Sequence, residues 1–329
     1  MSTGRRSLLK FASVAVVAPC LTMGWGTAWA QSSKPITLVV GYAPGGLSDL
    51  MGRLFAAEFS KTVGRQVVVE NRPGANGNIA TTAVANGSKD GDILLFASGA
   101  QMVLNPNVYP SLQVKPMVDL TPVGMVGQGD FIVATNTSLG VKSMTEFIEL
   151  AKSKPGQMNY GTPGLGSFGH VLSELIKERT RINVKAVHYR GAALMLPELM
   201  ANQVQFVVEG PTLLKENIAA GKLRGLMVLG SQRSKLVPDV PTSSELGLKG
   251  LEGISNWFGV MAPKGLAAPT LASYRAALQK VTASPEFAAK LEANGMSSAA
   301  TTPEEFSKKI ANETQLFKQV AKTANIVAE

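Results

Sequence analysis

Cysteine and histidine are the scarcest chemically reactive residues in this chain of 329 amino acids. Cys20 is the only cysteine, and His170 and His188 are the only histidines. A single thiol cannot form an internal disulfide, so the folded chain must be stabilised by packing. The shortage of imidazole groups also limits the metal and catalytic sites that the chain can build. No cluster of His, Cys, Asp and Glu has metal-ligand spacing, and we expect no metal and no cofactor.

Long runs of one residue class are also missing beyond the N-terminal region. No stretch after residue 30 offers the roughly twenty apolar residues that a transmembrane helix needs. The formal net charge of +9 is scattered, and Lys308-Lys309 is the longest basic run after that point. Without a basic stripe interleaved with aromatic residues, no nucleic-acid binding is expected, whereas a mild positive field suits an anionic ligand.

The first thirty residues have the order of a secretory signal peptide. Arg5, Arg6 and Lys10 precede an apolar stretch at Phe11–Val17, and Ala28-Trp29-Ala30 is an A-x-A cleavage signal. We therefore expect cleavage after residue 30 and export to the periplasm. The arginine pair could indicate the twin-arginine route, although such pairs also occur in ordinary secretory signals.

The residues argue against two alternatives for this region. A membrane anchor would be interrupted by Pro19, Gly24 and Gly26 before it could span the bilayer. A lipidation site at Cys20 fits poorly because Pro19 directly precedes the cysteine.

Strand-like and helix-like segments alternate from residue 34 onward. Strands are expected at Ile36–Val40, Gln66–Glu70, Asp92–Ala97, Phe131–Thr135, Met158–Gly161, Val184–His188, Gln205–Glu209, Leu226–Leu229 and Trp257–Ala262. Helices are expected at Asp49–Thr62, Asn78–Asn86, Ser143–Lys152, Gly169–Arg179, Ala192–Asn202, Leu271–Ala283, Pro285–Glu292 and Pro303–Ala324. This alternation predicts the α/β class, with mostly parallel sheets flanked by helices.

Two such series predict two lobes. Four prolines between Asn105 and Pro122 interrupt the first series, which suggests a loop that crosses between the lobes. We predict a signal peptide at 1–30, a first lobe from 31–130 together with 252–329, and a second lobe at 131–251.

The first candidate binding loop, Gly41–Asp49, follows a strand and opens a helix. Its paired glycines, Gly45 and Gly46, let the backbone approach a ligand, and the free N–H groups of a helix start favour an anion. Ser48 or Asp49 could cap the helix. The structural alternative is an ordinary strand–helix turn with a capping residue and no ligand.

The second candidate loop, Gly161–His170, also joins a strand to a helix. Gly164, Gly166 and Gly169 match G-x-G-x-x-G, but a dinucleotide site needs an acidic residue about twenty residues later. That place holds His188-Tyr189-Arg190, so NAD binding is rejected, and no P-loop sequence occurs. With one glycine-rich helix start in each lobe, the pair could grip the two ends of a dicarboxylate.

Catalysis is poorly supported by the residues. The chain has no G-x-S-x-G elbow, and a hydrolase needs a nucleophile, a base and an orienting group. We interpret His170 as a structural or ligand-side hydrogen-bond donor and His188 as structural. Glu209 could act as a general base, but a ligand-contacting or hinge-side acid is favoured, and Trp257-Phe258 is interpreted as core.

Several motifs together resemble the Bug family, the substrate-binding proteins of tripartite tricarboxylate transporters. They are Val39–Asp49, Val69–Ala75, Asp90-Gly91, Ala151-Lys152 through Pro155-Gly156, Tyr160–His170, Tyr189–Gly191, Gly221–Arg224, Pro238–Thr242 and Ala262-Pro263. The resemblance covers nearly the whole chain after the signal peptide. It implies a type II-like periplasmic binding protein fold, with a cleft between two lobes that captures organic acids.

The resemblance also implies where the ligand binds. Carboxylate contacts map onto Gly45 and Gly46 and onto the loop residues Gly164, Gly166 and Ser167, with His170 beside them. The stretches that contain Asn76, Ser98 and Gln101 lie near the implied cleft, and Asp49 belongs to the first motif.

Three departures from the family pattern leave the ligand's identity open. Ala43 replaces a common proline, Tyr42 could reach the ligand with its ring or its hydroxyl, and Glu209 replaces the usual aspartate.

We therefore expect a monomeric, non-enzymatic binding protein that closes around a small organic carboxylate, namely a dicarboxylate or an aromatic acid. It would pass this ligand to membrane transporter subunits, although some family members serve signalling proteins instead. The alternatives are an exported α/β hydrolase that acts on organic acids and an envelope protein with a vestigial cleft.

Overall fold

The computed structural model describes residues 34–299 and 301–328. The predicted signal peptide, its cleavage site and Cys20 lie outside the described residues. Within them, no helix combines the length and the apolar character needed to cross a membrane.

A six-stranded sheet forms the first lobe. From one edge to the other it contains β11 (Met296–Ser298), β4 (Leu120–Gly129), β10 (Asn256–Pro263), β3 (Ile93–Ser98), β1 (Ile36–Val40) and β2 (Val67–Asn71). Strand β1 runs parallel to β2 and β3, whereas β10 runs antiparallel to both β3 and β4. The carboxyl ends of β1, β2 and β3 therefore lie at one edge, beside the start of β10.

The segments that flank or connect this sheet are mostly helical. They are α1 (Leu47–Val63), α2 (Asn78–Ala85), α3 (Asn105–Val108), α4 (Pro116–Asp119), α9 (Ala268–Thr282), α10 (Pro285–Glu292) and α11 (Pro303–Thr323), with a π-helical turn at Ala100–Leu104. Helix α1 buries Met51, Phe55 and Phe59 at four-residue spacing, as an amphipathic helix should. Leu50 lies off that face and is 40% exposed.

A five-stranded sheet forms the second lobe. Its order is β7 (Val184–His188), β6 (Met158–Thr162), β8 (Phe206–Glu209), β5 (Phe131–Asn136) and β9 (Leu223–Leu229). Its helices are α5 (Met144–Ser153), α6 (Phe168–Thr180), α7 (Ala192–Met200) and α8 (Pro211–Ala219). Strands β7, β6 and β8 are parallel, whereas β5 runs antiparallel to β8 and β9.

The predicted α/β fold with two lobes is confirmed, and the sheets are mixed in detail. Strands β1 and β2, and β6 and β7, are each joined through a helix and run parallel, as expected. Four of the five antiparallel pairs among the described residues involve β5 or β10, which enter a lobe from the other one, and the fifth pairs β11 with β4. The exact lobe boundaries stay a prediction.

The predicted lobe-crossing loop between Asn105 and Pro122 is wrong. This segment forms α3, α4 and the start of β4, all within the first lobe. Pro106 and Pro116 lie in the first turns of these helices, where proline is favoured. The chain crosses instead at Asp130, between β4 and β5, and returns between β9 and β10. Strands β4 and β11 and helix α8 were not predicted.

The C-terminal helix α11 joins the cores of the two lobes. Phe317 of α11 packs edge-on against Phe168 of α6, with ring centroids 5.8 Å apart. Both residues belong to one buried apolar cluster that contains side chains from both sheets. Packed apolar side chains from both lobes therefore form the base of the cleft.

Candidate ligand-binding site

A cavity of about 280 Å³ lies between the lobes, at the carboxyl ends of their parallel strands. The first lobe contributes Tyr42, Asn76 and Ser98, which follow or end β1, β2 and β3. The second lobe contributes Ser167 and Glu209, which follow β6 and end β8. Open α/β sheets place ligands at this edge.

The start of α1 faces this cavity through Gly46, Leu47 and Ser48. Gly46 is the N-cap, and no side chain caps the helix there, so neither Ser48 nor Asp49 has the predicted capping role. The N–H groups of Leu47 and Ser48 have no acceptor within the helix, because the first turn of any α-helix leaves its donors unpaired. They are available to an anion.

The start of α6 reaches the same cavity from the other lobe. Ser167 caps this helix: its hydroxyl oxygen accepts a hydrogen bond from the His170 N–H at 3.3 Å and donates one to the Gly164 carbonyl at 2.7 Å. Phe168 and Gly169, the next residues, line the cavity. A Cβ on Gly169 would lie 2.9 Å from the carbonyl oxygen of Val208, so only glycine fits there.

The two helix starts are the main source of positive potential in the cavity. Of the described residues that line it, none is Lys, Arg or His. Each helix start carries a partial positive charge and unpaired N–H donors. Main-chain N–H groups are thus the positively polarised donors that these two helix starts offer to the cavity.

Tyr42 is fixed by other residues of the first lobe. Its hydroxyl lies 2.9 Å from Ser98 Oγ and donates a longer bond of 3.3 Å to Asn76 Oδ1. Burial raises the pKa of Tyr42 to about 12. The hydroxyl is therefore engaged, and the aromatic ring is the part of Tyr42 that remains to contact a ligand.

Asn76 sits on a left-handed stretch of backbone in the cavity wall. Ala75 and Asn76 have φ values of 45° and 50°, which cost energy for residues with a side chain. Asn105 holds this conformation: its Nδ2 donates to the Asn76 carbonyl at 2.9 Å, and its Oδ1 accepts from Asn76 Nδ2 at 2.8 Å. Sequence reasoning missed Asn105, which lies 29 positions away and is buried.

Asp49 lies outside the cavity lining and holds the first loop. Its Oδ2 accepts hydrogen bonds from the Gly45 N–H at 3.0 Å and Arg53 Nε at 3.1 Å, and its Oδ1 accepts one from Asn71 Nδ2 at 2.9 Å. These bonds, Arg53 first, lower the pKa of Asp49 to about 2. Gly45, at φ 86°, donates its N–H to this carboxylate and does not line the cavity.

Gln101 is another predicted site residue that supports the wall from behind. Its side chain is fully buried. Its Oε1 accepts from the Ser98 N–H at 3.0 Å, and its Nε2 donates to Gly77 O and Thr81 Oγ1, each at 3.0 Å. Gln101 therefore joins the end of β3 to the start of α2.

His170 and Gly166 are paired with each other beneath the second loop. The Gly166 N–H donates to His170 Nδ1 at 3.2 Å, so this nitrogen accepts and the proton of the neutral ring is on Nε2. Burial and the nearby His188 lower the pKa of His170 to about 4, which keeps the ring neutral at physiological pH. Gly164 lines a neighbouring cavity of about 300 Å³, whose wall also includes Tyr42 and Ser167.

Glu209 is the only acidic or basic side chain among the described residues that line the main cavity. Burial raises its pKa to about 7, and a hydrogen bond from the Gly210 N–H offsets this only in part. Its carboxyl group can therefore change its charge near neutral pH.

Comparison with known proteins identifies the family. Residues 51–326 match the tripartite tricarboxylate transporter family receptor. The chain belongs to this family. The resemblance to the Bug proteins is confirmed as well, because the chain is 33% identical over 291 residues to Protein BugT of Bordetella pertussis, covering 88% of this chain and 89% of that one.

Two solved members of similar fold were crystallised with dicarboxylates. An R. palustris protein with adipate is 31% identical and has a TM-score of 0.79, over 90% of this chain and 99% of its own. MatC from Rhodopseudomonas palustris, with bound malate, is 26% identical and has a TM-score of 0.75, over 88% and 99%.

Within this family member, an aromatic wall is the feature that sequence reasoning missed. Phe131, Phe168 and Phe258 line the cavity, and the rings of Phe131 and Phe168 lie 5.1 Å apart. The prediction that Phe258 is core is confirmed, because the ring is buried and stacks on Phe96, although it also borders the cavity. Its neighbour Trp257 is indeed buried and donates from Nε1 to Glu313 Oε2 at 2.7 Å.

Proposed function

We propose that this protein is a periplasmic solute-binding protein that captures a small dicarboxylate with a largely apolar body. It would deliver this ligand to the membrane subunits of a tripartite tricarboxylate-type transporter. The observation that carries the proposal is the meeting of two helix starts, one from each lobe, in a cavity that no cationic side chain of the described residues lines. The family to which the chain belongs supports the same role.

Two lobes that each hold part of the ligand explain how capture would close the cleft. A ligand favours a closed state only through contacts that the open state lacks. A carboxylate bound by the amides of Leu47 and Ser48, with further contacts to Phe168 and Gly169, supplies such contacts. The crossing at Asp130 and the return before β10 are the hinge positions in this proposal.

The aromatic wall favours some acids over others. Three phenylalanine rings offer nothing to a hydroxyl group, whose burial without a partner is costly. At this wall, adipate, with a chain of methylene groups, or an aromatic dicarboxylate suits Phe131, Phe168 and Phe258 better than malate or citrate does. Ser48 and Asn256 offer polar side chains elsewhere in the lining.

Binding without catalysis fits the geometry of the hydroxyl and imidazole groups. Ser167 donates its hydroxyl hydrogen to the Gly164 carbonyl, and His170 Nδ1 accepts from the Gly166 N–H. His188 Nδ1 lies 2.9 Å from Thr162 Oγ1. None of these pairs forms the nucleophile, base and orienting acid of a hydrolase, so we do not propose an enzyme.

The predicted signal peptide supports a periplasmic location, and we propose that the protein acts as a monomer. Neither point depends on the identity of the acid.

A thermal-shift screen tests the proposed ligand class. The purified protein is heated with adipate, aromatic dicarboxylates, malate, citrate, acidic amino acids and monocarboxylates. A ligand at about 100 times its Kd stabilises by roughly 2.7 kcal/mol, which is easily seen. We expect adipate or an aromatic dicarboxylate to give the largest shift. The absence of a shift with every acid would overturn the proposal.

The role of the main chain at α1 can be isolated by a matched pair of variants. Leu47→Pro removes one cavity-facing N–H, and the backbone tolerates it because Leu47 is the first helical residue and Gly46 is extended, with φ −81° and ψ 170°. Leu47→Ala removes the same side chain but keeps the N–H. A hydrogen bond to a charged group contributes about 1.5–3 kcal/mol, so adipate affinity should fall roughly ten- to a hundredfold in Leu47→Pro relative to Leu47→Ala. Equal affinities in the two variants would exclude this amide as a ligand contact.

A further inference from the structure

Glu209 lies beside the start of α6, where one carboxylate of the proposed ligand would bind. It ends β8, opposite Ile132 of β5, and its side chain lines the cavity. A Cβ built on Gly169 would lie 3.5 Å from Glu209 Oε1, so the carboxyl group lies beside the first turn of α6. The first turn of α6 would then lie beside two acidic groups, the carboxyl group of Glu209 and one carboxylate of the ligand.

No cationic side chain of the described residues lines the cavity that would hold these two acids. The ionisable groups on the surrounding elements are Asp130 before β5, Tyr160 on β6, His170, Glu174, Lys177, Glu178 and Arg179 on α6, Lys215 and Glu216 on α8, and Tyr42 across the cleft. None of the four cationic or imidazole groups in that set lines the cavity, and Lys177 Nζ lies 2.6 Å from Glu174 Oε1. His170 is neutral, as described above.

We propose that Glu209 sets the charge of the ligand that the site accepts, because it binds one proton whenever a dianionic acid is captured. This inference rests on the proposed function. Protonation removes the repulsion between two like charges in a small cavity, and the neutral carboxyl can then donate an O–H hydrogen bond to the ligand. Glu209 is thus a specificity-determining residue.

The Glu209 carboxyl of the ligand-free protein changes its charge near neutral pH, so the proton uptake that accompanies binding can be measured there. Burial, offset in part by the Gly210 N–H, brings the pKa of Glu209 to about 7, and an adjacent ligand carboxylate raises it further. The affinity for a dianion is therefore constant below about pH 7. Above that pH it falls by up to about tenfold per unit, until the pKa of the complex is reached.

Isothermal titration calorimetry with adipate tests the inference on the wild-type protein. Titrations at about pH 6 and about pH 8.5 keep both carboxyl groups of adipate ionised. Two buffers of different ionisation enthalpy at the higher pH give the number of protons taken up. We expect close to one proton per adipate, and an affinity about tenfold or more lower at the higher pH.

Two variants assign the proton to its residue. Glu209→Gln keeps the shape of the side chain, and we expect it to abolish proton uptake and to bind adipate about tenfold more tightly than wild type at about pH 8.5. Glu313→Gln is the matched control. Glu313 is also buried, burial also raises its pKa, and it does not line the cavity. This control should keep the wild-type pH dependence.

The outcomes separate the two proposals. Adipate binding without proton uptake, or uptake that persists in Glu209→Gln, overturns the role of Glu209 and leaves the proposed function intact. If adipate and the other dicarboxylates fail to bind at either pH, the proposed function falls, and this inference falls with it. Proton uptake in the wild-type protein does not depend on whether a variant folds.

Discussion

Replacing Asp49 with asparagine should loosen the glycine loop that opens α1. Asp49 is buried, and its two oxygens accept bonds from Gly45, Arg53 and Asn71. Asparagine has the same shape but presents an NH₂ group to one set of these donors. Leaving buried donors without an acceptor costs about 1–3 kcal/mol, so we expect a loss of about 2 kcal/mol in the free energy of unfolding.

The lowered pKa of Asp49 gives a second value for the contribution of these bonds to the free energy of unfolding. Lowering the pKa of Asp49 from 3.8 to about 2 corresponds to about 2 kcal/mol at neutral pH. Because the Arg53 side chain is 51% exposed and partly screened by water, we expect about 1–2 kcal/mol. The folded-state pKa is the lower one, so this stabilisation is present above about pH 4 and is lost as the pH falls towards 2. About half of it should be gone by about pH 3.

Urea unfolding followed by circular dichroism measures both effects. Wild type and Asp49→Asn are compared at about pH 7 and about pH 3, and the difference between them should narrow at the lower pH. Glu70→Gln is the control, because the Glu70–Arg72 pair is exposed and contributes at most about 0.5 kcal/mol. If Asp49→Asn unfolds like the control at neutral pH, Asp49 does not hold this loop.

Two further changes test the packing around the site. Trp257→Phe removes the indole N–H that donates to the buried Glu313 carboxylate. We expect urea unfolding to show a loss of about 1–3 kcal/mol in the free energy of unfolding. Wild-type stability of this variant would contradict the importance of the bond. Gly169→Ala places a methyl group 2.9 Å from the Val208 carbonyl oxygen, so thermal unfolding should show a loss of about 1–3 kcal/mol, and an unchanged melting temperature would show that this turn can shift.

Local signals allowed the sequence to predict much of this protein. The strand and helix alternation follows from side-chain periodicity, which is a property of neighbouring residues. The two glycine-rich helix starts were recognisable for the same reason, and Gly46 and Ser167 do line the cavity. Family membership, too, follows from motifs that can be read in the chain itself.

Local signals failed where the chain's path through space decided the outcome. The prolines between Asn105 and Pro122 indicated a crossing loop, but they begin two short helices, because a proline favours a first turn as much as it breaks a later one. Whether a segment crosses between lobes depends on which sheet accepts the next strand. Here the next strand is β4, which joins the sheet of the first lobe. Its partners β10 and β11 come more than a hundred residues later.

The tertiary structure alone decided which candidate residues face the cavity. Asp49, Gln101 and His170 have the right chemistry and the right neighbourhood, yet their polar atoms bond to the backbone behind the loops. Such buried polar groups must find partners, and in the sequence these partners are not marked. Conversely, Phe258 is core, as the sequence predicts, yet it also borders the cavity. Its place there depends on how β10 pairs with β3, a contact between residues about 160 positions apart.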